Sequence, residues 1–235
     1  MLDAAADLVT VIKPQSAFFE RFGADGMAVL TRLLGRINAQ GSLSLLDCKR
    51  GDIGSTLQAY AEAMLGANSP FGADAITLTA YLGFDALRPA LDMAVKLNKG
   101  VFIVVRSSNP EGLSLQNARL ADGRAVADML ADEITGFNAV HGAGLGAIGA
   151  VMGATLQGAE LETLQRMPQS LFLAPGVGAQ GASIDDLAEN FGAAAARAIP
   201  SVSRAILNQG PSVQKLRDAI RWYRNQAMIY AQESI

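Results

Sequence analysis

The sequence predicts an α/β protein of the (β/α)8 TIM-barrel type, with the first of the eight strands missing from the N-terminal end. Three observations lead there. Seven short apolar, β-branched runs alternate with Ala- and Leu-rich stretches of helical period. Those runs are continuously apolar, as parallel strands buried on both faces are. The chain has 235 residues, the length of one barrel rather than two smaller domains.

A helix-like piece at 2–8 leads straight into the first run, at 9–13. A barrel entered at its second strand would look like this. Further runs follow at 44–49, 75–79, 101–106, 147–153, 170–175 and 199–204. Helical patterns separate them at 26–38, 57–65, 84–97, 119–137, 160–167 and 184–196, and a terminal helix is expected at 212–233. Seven strands exceed the usual five or six of an open doubly wound sheet and fall one short of a barrel. A sequence that extends upstream is therefore expected. With no internal repeat, low-complexity segment or linker, residues 1–235 read as a single domain.

Composition excludes several classes. Apolar residues make up 50% and the net charge is only −3, so the chain is not disordered. A single Cys rules out a disulfide framework or a Cys-based zinc site and fits a reducing compartment. An isoelectric point near 5.2 argues against binding nucleic acid or an anionic membrane. The uncharged stretch 134–159 holds polar residues and many glycines, and no transmembrane run is present. Met1-Leu2-Asp3-Ala4 lacks a basic segment before an apolar one, so a cytoplasmic location is expected. The lone histidine, His141, reads as a polar loop residue. Gly144–Gly149 matches G-x-G-x-x-G but precedes a strand instead of following one, so it reads as a flexible helix-to-strand connection.

The densest chemistry lies in Asp47-Cys48-Lys49-Arg50-Gly51-Asp52-Ile53-Gly54-Ser55-Thr56. Alternation along a strand sends Asp47 and Lys49 to one face and Cys48 to the other, against the helices. In a barrel the C-terminal strand ends line the active site. Opposite charges there are costly unless paired with good geometry. They serve either as an internal ion pair or as an array that handles charge on a substrate. Lys13 ends the 9–13 run, and Pro14 is expected to stop the hydrogen bonding of that strand. If sequential strands are neighbours, Lys13 extends the row.

Two further pieces follow apolar runs. In Ala174-Pro175-Gly176-Val177-Gly178-Ala179-Gln180-Gly181, glycines let backbone approach a ligand and expose N–H groups to an anion. Ser203-Arg204 ends the last run. With one strand missing, these are strands seven and eight, between which barrels often bind phosphate, and Arg can fork onto a phosphate.

Asp47–Thr56 resembles the D-x-K-x-x-D signature of the orotidine 5′-phosphate decarboxylase family, in the form seen in its bacterial type-2 branch. Lys13-Pro14-Gln15-Ser16-Ala17-Phe18-Phe19-Glu20, Ser107–Gly112, Pro175–Gly181 and Pro200–Arg204 are similar to that branch too. The resemblance implies decarboxylation of orotidine 5′-phosphate to UMP, the last step of de novo pyrimidine nucleotide synthesis, with no cofactor and no metal. It implies that Lys13, Asp47 and Lys49 form a charged row that Asp52 completes in the partner's site of a homodimer. Thr56 would likewise contact the partner's substrate and Ser108 the pyrimidine. Gln180 and Arg204 would hold the 5′-phosphate beside Gly178 and Gly181, with Gln180 also near the base. Asp47 would disfavour the substrate carboxylate, and Lys49 would stabilise and protonate the C6 carbanion. An Asp that contacts ribose from the family's first strand has no counterpart here. The alternatives are a Mg²⁺-dependent sugar-phosphate decarboxylase or synthase on the same barrel, and a non-catalytic nucleotide-phosphate binding protein.

Overall fold

β-branched and aliphatic runs make the strands, and helices with one apolar stripe connect them. A computed structural model describes residues 1–178 and 180–233. The chain divides into two compact units, Met1–Ile103 and Val104–Ile235.

The first unit contains α1 (Leu2–Ala5), β1 (Val11–Ile12), α2 (Ala17–Glu20), α3 (Gly23–Ala39), β2 (Leu43–Arg50), α4 (Gly54–Met64), β3 (Ala75–Leu78) and α5 (Arg88–Leu97), then enters β4 (Gly100–Arg106). β1 pairs with β2, β2 with β3 and β3 with β4, all in parallel. Consecutive strands are thus neighbours, as right-handed βαβ connection expects. Ile76, Leu78, Val101 and Ile103 are fully buried, which explains why these strands lack the in–out alternation of a half-exposed sheet. α3 buries Leu30, Leu34 and Ile37 along one stripe. α5 carries Pro89 in its first turn and stops at Asn98, whose φ of 54° is the left-handed cap that Asn tolerates.

The second unit continues with α6 (Leu113–Gln116), α7 (Val126–Ala139), β5 (Ile148–Met152), α8 (Glu162–Gln165), β6 (Phe172–Pro175), α9 (Ile184–Phe191), β7 (Ala198–Ser201), α10 (Arg204–Leu207) and α11 (Val213–Glu233). β5 pairs with β6 and β6 with β7, again in parallel. A reciprocal capping box between Ser183 and Asp186 fixes the start of α9.

Four expectations need correction. The helix expected over 119–137 begins only at Val126. Before it, Leu120 N donates to Arg124 O at 2.9 Å around an Asp122-Gly123 turn, in which Gly123 has φ +87°. The last run ends at Ser201, so Arg204 begins a helix instead of ending a strand. Pro14 does not end the pairing of its strand. Its carbonyl still accepts from Asp47 N at 2.9 Å, and Ser16 N donates to Asp47 O at 3.1 Å. The Gly144–Gly149 connection does precede β5, but it is tightly packed. A Cβ on Gly146 would lie 2.1 Å from the Asn138 side chain. His141 stacks on Phe137, with ring centroids 4.4 Å apart. Among the described residues, no helix is long and apolar enough to cross a membrane.

Candidate active site

β1 and β2 lie side by side, so their C-terminal ends bring three charges together. Lys13 Nζ donates to Asp47 Oδ2 at 2.7 Å, and Lys49 Nζ donates to Asp47 Oδ1 at 2.5 Å. Asp47 is buried, while the Lys49 side chain is 44% exposed. Burial on its own would raise the Asp47 pKa. The charge and hydrogen bond of Lys13, with those of Lys49, outweigh burial and hold the carboxyl below its ordinary 3.8. Asp47 is therefore a fixed anion at neutral pH, flanked by two cations.

The backbone under this row is strained. Lys49 has φ +45°, in the left-handed region, and the β2–β3 register slips between Leu46 and Arg50. For a non-glycine residue this costs on the order of 1–2 kcal/mol. Thr77 on β3 holds it. Its hydroxyl accepts from Cys48 N at 3.0 Å and Lys49 N at 2.9 Å and donates to Asp47 Oδ1 at 2.8 Å. Gly51 is needed for close approach, since a Cβ there would sit 2.5 Å from Thr79 O. Arg50 pairs with Glu20 of α2 and lies over the Tyr60 ring at 5.6 Å. It thus ties the segment after Lys13 to the end of β2. Cys48 is buried, and burial raises its thiol pKa, so it stays a neutral packing residue.

Asp52 stands apart from the row. It is half-exposed, and its Oδ1 accepts from Ile53 N at 2.8 Å. Among the described residues it makes no ion pair with Lys13 or Lys49. Thr56 is exposed in the first turn of α4.

In the second unit, Ser108 Oγ donates to Gln180 Oε1 at 2.9 Å. Ser108 follows β4 and packs against β5 so closely that a Cβ on Gly153 would lie 2.9 Å from its backbone. Gly178 and Gly181 have φ +79° and +98°. Their N–H groups are not presented to an anion: Gly178 N donates to Ala182 O at 2.7 Å and Gly181 N to Gly178 O at 3.0 Å. These glycines serve the shape of the turn. Ala179, between them, lies outside the described residues. Arg204 is exposed and makes no ion pair among the described residues.

Two participants escaped the sequence reading. Thr77 is the one polar residue of β3. Arg106, at the end of β4, is buried. Its guanidinium donates to Thr163 Oγ1 at 2.9 Å and to Asn117 Oδ1 at 2.7 Å. Asn117 closes the segment that begins at Ser107, and Gln116 Nε2 donates to Ser107 Oγ at 2.8 Å. Both ends of the Ser108 loop are thereby pinned.

The family model described as "Orotidine 5'-phosphate decarboxylase / HUMPS family" matches residues 1–219. A Myxococcus xanthus protein named orotidine 5′-phosphate decarboxylase is 50% identical over 219 residues, 93% of this chain and 76% of that protein. A crystal structure from Streptomyces avermitilis, provisionally described as the same enzyme, is 43% identical with a TM-score of 0.91, covering 98% of this chain and 80% of its own. The structure of Leishmania donovani OMP decarboxylase is 28% identical with a TM-score of 0.81, covering 98% and 84%. With the parallel strand pairings, these likenesses put the chain in the α/β barrel class that the strand–helix alternation predicts.

Proposed function

Since the chain belongs to the orotidine 5′-phosphate decarboxylase / HUMPS family, we propose that it removes CO₂ from orotidine 5′-phosphate to give UMP. The observation that carries this reading is the Lys13–Asp47–Lys49 row. Breaking the C6–carboxyl bond leaves its electron pair on C6. Lys49 Nζ is the cation that faces this charge and then gives its proton to C6. Asp47, ionised between two ammonium groups, repels the substrate carboxylate and fixes both lysines. At ~4 Å and an effective dielectric of ~20, one unit-charge contact is worth about 4 kcal/mol. Enzymes supply roughly 8–23 kcal/mol, so the row acts together with binding energy from the rest of the substrate. Ser108 and Gln180 hold the pyrimidine, and Gln180 and Arg204 hold the 5′-phosphate at the turn shaped by Gly178 and Gly181.

Two copies share each site in this reading. Support comes from Asp52, which lies off the row of its own chain, and from exposed apolar side chains on the segments after β1, β2 and β3: Phe18, Phe22, Ile53, Tyr81 and Leu82. Asp52 completes the partner's row, and Thr56 contacts the partner's substrate. The lone Cys48, kept as a buried thiol, fits the cytoplasm.

The test is the absorbance change on loss of orotidine 5′-phosphate, with and without EDTA. Turnover that survives EDTA is expected; absent or metal-dependent turnover overturns the reading. For the shared site, inactive Asp52→Asn and Lys49→Ala proteins are mixed. Recovered activity is expected, and silence of every mixture refutes sharing.

A further inference from the structure

Gly178 is where three segments of the second unit converge. A Cβ there would lie 2.9 Å from Ala205 Cβ and 3.2 Å from the Tyr223 hydroxyl oxygen. Ala205 follows Arg204 in α10, and Tyr223 lies midway along α11. The terminal helix therefore delivers a phenol to the turn after β6, beside the residue next to Arg204. The Tyr223 ring is half-buried and held edge-on by Trp222, with centroids 4.7 Å apart. Its hydroxyl has no hydrogen-bond partner among the described residues. The N–H of Gly178 is taken by Ala182 O. The hydroxyl is not sealed off, since among the described residues the buried side-chain polar atom left without a partner is Arg50 Nε, so the tip is open to a ligand at the turn. Phosphate oxygens are strong acceptors, and hydrogen bonds to a charged group are the stronger kind.

We propose that Tyr223 is a further phosphate-binding residue, donating its O–H to an oxygen of the same 5′-phosphate that Arg204 holds. The inference rests on the nucleotide reading above and adds α11 to the binding machinery. It also gives Gly178 a second role: any side chain there would wedge between Ala205 and the phenol.

The test is calorimetric titration of wild type and Tyr223→Phe with UMP and with uridine. Phe keeps the ring and its Trp222 contact and removes only the hydroxyl. UMP affinity is expected to fall about tenfold, with uridine affinity unchanged. Unchanged UMP affinity, or an equal loss for both ligands, overturns the proposal, the second outcome marking a purely structural role. Wild-type protein that binds UMP without turning over orotidine 5′-phosphate would refute the reaction and leave the Tyr223 comparison fully readable. Wild-type protein that binds no UMP overturns the phosphate site itself.

Discussion

In the row at the ends of β1 and β2, each Asp47 oxygen is taken by an ammonium group, and Thr77 adds a third donor. In the turn after β6, the glycine N–H groups are spent on the turn, and Arg204 stays exposed with no ion pair among the described residues. The first region is set before any ligand arrives, and its polar groups need little reorganisation at the moment of reaction. The second keeps an exposed cation with no ion pair among the described residues, so an anion can approach it without breaking one. The contrast matches a division of labour. Charge development on carbon needs fixed dipoles, whereas an anion remote from the reacting carbon needs attraction and closure.

The sharpest break of this contrast is Lys49→Ala. Turnover should fall by more than about 10⁴-fold, with UMP affinity, measured by calorimetry, retained; near-normal turnover would remove Lys49 from the chemistry. Asp47→Asn comes next, with a loss of roughly 10²–10³-fold in kcat. The same substitution probes linkage. The Asp47 pKa is lower in the folded protein than its ordinary 3.8. Its stabilisation is therefore complete above about pH 4 and is lost as pH falls through the depressed value. Denaturant melts between pH 5 and 2 should show a shallower acid loss for Asp47→Asn than for wild type. Arg204→Ala, at the adaptable end, should weaken UMP by about 1.5–3 kcal/mol, roughly 10–150-fold, and leave uridine unaffected. Smallest in turnover is Thr77→Val, expected to lower kcat less than about tenfold. It should cost about 1–3 kcal/mol in chemical denaturation because it leaves the Cys48 and Lys49 N–H groups, the first of them buried, without their acceptor.

How much of this the sequence disclosed depended on how local the determining physics is. The strands at 44–49, 75–79 and 101–106 were legible because burial on both faces makes each a solid apolar block. Asp47 and Lys49 were legible because charges at the end of such a block need a reason. Arg204 reads as a strand end because it follows directly on the run that Ile199 opens. The helix that begins there packs against α11, a contact that no local window contains. The 119–125 turn carried its Asp122-Gly123 signal inside a stretch of strong helix formers. The left-handed backbone at Lys49 had no signal at all, because Lys offers none, and only Thr77, 28 residues away, makes that conformation tenable.

That conformation bears on how the protein can be improved. Gly or Asn at position 49 would relax the peptide, and a search for thermal tolerance alone would drift toward them. Each gain of that kind would delete the ammonium group. Engineering for robustness has to lock this codon and look for its increments elsewhere in the barrel.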